Sequence, residues 1–215
     1  FNEIQENNSL KNRNRILKII YYLIKNKLIY DYNKGSHLDS TNLNSDLLNK
    51  YKRIIETYST GIILCGNELF TVKNNELNIS HQNIISINQI LGLKHIKDLK
   101  SLSVHSNSIS SLDGIENLAN LKSLTLSHNQ LENIDLIGAL KNLKNLDASF
   151  NLISNIEMLS HLKSLERLDL EGNNVSDISS LRSLRNLKFL NLTSNPLKIK
   201  DKDYEFLKNI RYLYY

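Results

Sequence analysis

The sequence holds one cysteine, Cys65, among 215 residues. No intrachain disulfide framework can form from it and no zinc cluster can be built on thiols, a usage that suits a reducing compartment. The hydrophobic runs are short and interrupted by Asn and Lys, far from the roughly 20 apolar residues that a membrane-spanning helix needs. The seven glycines are scattered, so no glycine-rich loop is available to cradle a phosphate. His37, His81, His95, His105, His128 and His161 fall at different places in the chain's pattern and form no helical His pair with a third ligand. No catalytic set, metal site or cofactor site is left, and the chain reads as non-enzymatic. It is not short of core material, with 40% hydrophobic residues, unlike a disordered chain.

What is present is one apolar pattern restated every 22 positions. Leu99, Leu121, Leu143, Leu165 and Leu187 open five units, and Leu102, Leu124, Leu146, Leu168 and Leu190 follow three places later. Val104, Leu126, Ala148, Leu170 and Leu192 come two further on. Three beyond these stands a column of asparagine: Asn107, Asn129, Asn151, Asn173 and Asn195. One unit cannot bury its own leucines, whereas stacked units close a shared core. The L-x-L portion alternates as a strand does, so each unit adds a parallel strand about 4.8 Å from the last. The remaining apolar places recur every three residues, as in Ile109, Leu112, Ile115 and Leu118, a spacing that predicts 3₁₀ turns. The asparagines read as scaffold. Each carries a donor and an acceptor for backbone groups that the turn would bury, and a lost partner of that kind costs about 1–3 kcal/mol.

The unit L-x-x-L-x-L-x-x-N-x-I-x-x-I-x-x-L-x-x-L-x-x resembles the leucine-rich repeat family in its 22-residue class. The resemblance implies an α/β solenoid with a parallel concave β-sheet, a convex side of 3₁₀ turns, a helical N-terminal cap region and a short helical C-terminal cap. The run Asn195-Pro196-Leu197 ahead of a Tyr-containing segment resembles the C-terminal cap of intracellular members. The stretch from Asp147 to Glu157 is similar to the protein phosphatase 1 regulatory subunits among them, and Val175-Ser176-Asp177-Ile178-Ser179 is similar to bacterial internalins. The function implied is a protein-binding scaffold or regulatory subunit in a hetero-complex, in the cytoplasm or nucleus. The alternative implied is an internalin-like surface or secreted virulence factor. No signal peptide is legible, and the chain opens on Phe1 rather than Met, which leaves room for a preceding piece.

Taken in order, residues 1–60 read as a helical N-terminal region, with a basic amphipathic helix over 10–30, a polar linker over 31–44 and a second helix after Asn44 or Ser45. A membrane or nucleic acid recruited by that first helix is a third functional reading. The proline-centred opening of an F-box-like adaptor is missing. Residues 61–98 read as a capping hairpin, with turns at Gly66-Asn67 and Asn74-Asn75, and an irregular first repeat that has Gln82 in the asparagine place. Regular repeats fill 99–195. Residues 196–215 form the C-terminal cap, where Tyr204, Phe206, Leu207, Ile210 and Leu213 recur at helical spacing.

Strand alternation nominates the residues of the concave face. Most are small and polar, but one end differs. Asp147, Asp169 and Glu171 form an acidic group beside Arg167 and Phe189, and Arg and aromatic residues are common binding anchors. Asn145, Asn191 and, at the other end, His105 complete the candidate protein-binding set. Phe150, next to small Ala148, reads as filling a gap between repeats, and His105 and His128 read as neighbours. The range 1–60 carries ten Lys and Arg against six Asp and Glu, and the range 61–215 carries seventeen against sixteen. On that near neutrality neither nucleic acid nor membrane is an expected partner of the array.

Overall fold

The computed structural model describes residues 68–215 together with 30–31, 36–37 and 62–65. The two helices expected before residue 60 lie outside the described residues. Where the expected first helix meets the expected linker, β1 (Tyr30–Asp31) and β2 (Ser36–His37) pair antiparallel, so Tyr30, read as the end of the helix, is in a strand.

The alternating L-x-L segments become one seven-stranded parallel sheet. Its strands are β5 (Glu76–Asn78), β7 (Ser101–Ser103), β8 (Ser123–Thr125), β9 (Asn145–Asp147), β10 (Arg167–Asp169), β11 (Phe189–Asn191) and β12 (Tyr212–Tyr214). Leu77, Leu102, Leu124, Leu146, Leu168, Leu190 and Leu213 sit opposite one another across the sheet. The four steps from Leu102 to Leu190 keep the period of the sequence. The first step, Leu77 to Leu102, is longer by three places, and the last, Leu190 to Leu213, by one. The longer first step belongs to the repeat read as irregular. Behind the sheet run 3₁₀ segments, Ile115–Asn117, Asp135–Ala139, Glu157–His161 and Ser179–Ser183, as the three-residue spacing requires. They bury Ile115, Ile137, Leu159 and Leu181 against the strand leucines, in one core that runs from Ile63 to Ile210.

The open end of the array is covered by a separate antiparallel sheet of β3 (Ile62–Cys65), β4 (Glu68–Thr71) and β6 (Ile90–Leu91). Ile63 and Cys65 are buried in the core. Asn74 and Asn75, with φ of 53° and 62°, turn the chain from β4 into β5, a conformation that Asn tolerates better than most residues. At the other end the structure corrects the helical reading of residues 204–213. The α-helix α1 spans only Asp201–Leu207, Ile210 lies buried in the turn after it, and Leu213 belongs to β12. The physical reason is visible in the spacing. Ile210 and Leu213 repeat the interval of Leu187 and Leu190, and strand pairing with β11 outweighs helical continuation. The α1 carboxylate Asp203, fully buried, accepts from Arg182 Nε at 2.8 Å and Nη2 at 2.7 Å and from the Lys200 amide at 2.7 Å. That ties the cap to the last 3₁₀ segment.

Each asparagine of the column bridges two repeats. In Asn151, Oδ1 accepts from the Leu131 amide at 3.0 Å, and Nδ2 donates to the carbonyls of Leu126 and Ala148, each at 3.1 Å. Asn129, Asn173 and Asn195 repeat the arrangement, and Asn107 serves the amides of Gln82 and Ile84. A second amide column, unread in the sequence, stands where the chain enters the strands. Asn120, Asn142 and Asn186 donate to the carbonyls of Lys97, Ala119 and Lys163 at 2.8–3.0 Å.

Candidate protein-interaction face

Strand register decides which side chains meet on the concave face. Arg167 lies between Asn145 and Phe189, and Asp169 between Asp147 and Asn191. The Arg167 guanidinium sits 3.4 Å from the Phe189 ring centroid and its Nη2 is 3.3 Å from Asp169 Oδ2. Flat contact of this kind is favourable for the planar, weakly hydrated Arg cation. Asn191 Nδ2 donates to Glu171 Oε2 at 3.0 Å. Asn145 is exposed at the edge of the group.

Part of the acidic group also has a local task. Asp147 Oδ1 accepts from the Ser149 amide at 3.1 Å, Asp169 Oδ1 from the Glu171 amide at 3.3 Å and Asn191 Oδ1 from the Thr193 amide at 3.1 Å. These are turns in which an Asx side chain bonds the backbone two residues on. Burial raises the Asp169 carboxyl above its ordinary range, opposed by the Glu171 amide and reinforced by the neighbouring Asp147 charge. The face thus carries a partly desolvated acid that a cation from outside would relieve.

Two further side chains belong to this surface. Phe189 lies 5.6 Å from Tyr214, ring centre to ring centre, and Tyr212 and Tyr214 stand exposed on β12 beside it. Sequence reasoning missed both by assigning them to a helix; the Ile210-x-x-Leu213 interval was the available signal. His105 lies toward the other end of the array, on the strand-exit side of β7, with its ring 5.1 Å from His81 and Nδ1 3.1 Å from Ser106 Oγ. The His128 ring stacks on Phe150 at 4.5 Å. Phe150 lies between repeats as read, against His128 on one side and over Gly172 on the other, but at the surface, 43% exposed, with a φ of 52°. Among the described residues no group of three or more His, Cys, Asp and Glu is placed to hold a metal ion, and no helix is long and apolar enough to cross a membrane.

The model of the leucine-rich repeats, in two copies, matches residues 119–161 and 163–209. The chain is a leucine-rich repeat protein. No curated protein is significantly similar to it in sequence. Solved structures agree on the fold. An internalin from Listeria monocytogenes is 23% identical over 79% of this leucine-rich repeat chain and 48% of its own, with a TM-score of 0.60. An internalin C2 of the same organism is 24% identical over 78% and 72%, with a TM-score of 0.59. A leucine-rich repeat protein of Leptospira interrogans is 26% identical over 65% and 36%, with a TM-score of 0.57. The chain spans about half the length of the first of these. The repeat family indicates an interaction domain and no catalytic family.

Proposed function

We propose that this protein is a non-enzymatic scaffold or regulatory subunit that binds the basic surface of a partner protein on strands β9 to β12 of its concave face. The observation that supports this most is the Asp147, Asp169 and Glu171 group set against Arg167 stacked on Phe189. A one-signed acidic group favours a basic partner and speeds its approach. The aromatic run Phe189, Tyr212 and Tyr214 supplies apolar anchors at its border. Six or seven strands at about 4.8 Å give a face roughly 25–30 Å across, enough for an ordinary interface of about 800 Å² per partner. We place the complex in the cytoplasm or nucleus. The second reading, an internalin-like surface or secreted protein, is favoured by the Val175–Ser179 stretch; fractionation of the source cells separates the two.

The test is affinity capture from the source lysate with quantitative mass spectrometry. The wild-type bait is compared with Asp147→Asn/Asp169→Asn/Glu171→Gln and with a convex-side control, Asp113→Asn/Glu132→Gln/Glu157→Gln. A partner depleted at least tenfold by the first variant and kept by the second supports the reading. A partner kept equally by both overturns it.

A further inference from the structure

The near neutrality of the array conceals a separation of charge. The segments that enter the strands, residues 94–100, 118–122, 140–144, 162–166, 184–188 and 208–211, hold eleven Lys and Arg against two Asp and Glu. The stretches between them, from 101 to 207, hold five against twelve. Because the repeats are in register, the cations line up. Lys122 and Lys144 each donate a backbone amide to the residue one repeat before, Lys100 and Lys122, and Lys188 donates to Glu166. Their side chains therefore form one column along the solenoid, spaced about 4.8 Å per repeat. Lys97, Lys141, Lys163 and Arg185 form a second column three residues upstream, and all four are exposed.

The backbone beneath these cations is fixed. Asn120, Asn142 and Asn186 bond the carbonyls of the repeat before at 2.8–3.0 Å. Only one acid interrupts the inner column: Glu166, held at 2.8 Å by both Lys144 and Lys188. At the C-terminal end the strip borders a cleft of about 600 Å³ lined by Arg185, Lys202 and Asn209 together with Glu205 and the apolar Leu184, Leu187, Phe206 and Ile210, so its mixed lining ends the basic surface.

From this arrangement we infer that the strand-entry flank is a second binding surface, for the phosphate backbone of a nucleic acid, read without regard to base sequence. The surface is long and narrow, about 25 Å by two columns, and periodic in one sign of charge, the form of a linear polyanion. Protein partners are anchored by aromatic and Arg residues in apolar pockets, and the exposed aromatics Phe150, Tyr204, Tyr212, Tyr214 and Tyr215 lie outside the two columns, Tyr212 alone touching their end through Arg211 at 5.2 Å. A membrane surface is broad, and peripheral binders add large apolar side chains that enter it; the columns offer none, only the small Ala119 standing between Lys97 and Lys141. Base readout needs side chains paired to base edges, and a lysine column offers point charges instead. The concave face is not involved, so this inference stands apart from the protein-binding role.

The test is fluorescence anisotropy of the full chain with a labelled mixed-sequence duplex, long enough to span the strip, and its single strand, from about 50 to 200 mM salt. The flank variant is Lys122→Gln/Lys141→Gln/Lys163→Gln/Arg185→Gln, four exposed positions with no role in the core. The control is Lys11→Gln/Lys18→Gln/Lys25→Gln/Lys27→Gln, which removes the same charge from the N-terminal region. Expected are binding by wild type, at least tenfold weaker binding by the flank variant, and a salt slope lowered by about 3 to 4, one unit per lost phosphate contact. The control should stay within twofold of wild type. No binding at the lowest salt overturns the inference, and so does a control that loses as much as the flank variant. Binding to vesicles of two parts phosphatidylcholine to one part phosphatidylserine in place of nucleic acid, abolished by the flank variant, gives the surface to membranes and overturns it equally.

Discussion

Strands β8, β9 and β11 are each held at both ends by an asparagine reaching to a carbonyl of the neighbouring repeat, yet the two ends differ in weight. At the exits Asn129, Asn151 and Asn173 are buried and each bonds one amide and at least two carbonyls. At the entries Asn120, Asn142 and Asn186 make one bond each from exposed positions. The chemistry is the same, and water is the difference. Where water is excluded, a missing partner leaves several backbone groups unsatisfied; where it is admitted, water replaces the bond. The exit end is consequently locked, and the entry end is free to collect lysine.

Substitution can break this comparison, and Asn151→Ala should give the largest effect. Orphaning buried backbone groups should cost about 3 kcal/mol in urea-denaturation experiments. Gly172→Ala comes next. Its φ of +63° disfavours a side chain and an added Cβ would lie 2.8 Å from Phe150 Cδ1, so about 1–2 kcal/mol is expected. Part of that should return in a Phe150→Ser background, and no recovery would show that the backbone alone matters. Asn142→Ala should cost only about 0.5 kcal/mol, the net value of a solvated hydrogen bond. Equal losses for Asn151→Ala and Asn142→Ala would refute the role given to burial.

Two smaller effects depend on pH. The folded state raises the Asp169 carboxyl, so its ionisation opposes folding as pH rises above the ordinary value of 3.8. Asp169→Asn, which keeps the acceptor for the Glu171 amide, should melt above wild type at pH 7 and level with it at pH 3. Glu166 has the opposite sign. Hydrogen bonds from Lys144 and then Lys188 lower its carboxyl from 4.5 to about 2. Its contribution is present above pH 4.5 and lost as pH falls to about 2. Being exposed to water and salt, the bridge is weak. Glu166→Gln should lower the melting temperature slightly at pH 7 and low salt, with no difference remaining below pH 2.

The repeats and their register were legible because a 22-residue period fixes every leucine at once, and Leu102, Leu124 and Leu146 could hardly face anywhere but inward. The Asn column followed from the same period. The seventh strand was obscured by α1, which replaces the usual 3₁₀ turn and moves Leu213 one place off the period. Tyr204, Phe206 and Leu207 are helical, and their period was carried on through Ile210. Asn120, Asn142 and Asn186 recur in register one place before the opening leucine, but Asp98 and Ser164 interrupt them, so the signal is weaker than the unbroken first column. The segregation of charge was hidden by counting it along the chain, where the signs cancel, instead of by repeat position. Phe150 was legible as lying between repeats, but its exposure was not, since it follows from the left-handed backbone before each column asparagine.

The register also sets how the molecule comes together in time. Every strand of the main sheet after the first pairs with the strand of the repeat just before it in the chain. No step waits for a distant partner, and each loop closure has nearly the same entropy. A growing chain can add one repeat at a time behind the last as it is synthesised. Unzipping from an end needs to break only one interface at each step. Such a chain should fold quickly for its length, with its two caps governing how long it then stays closed.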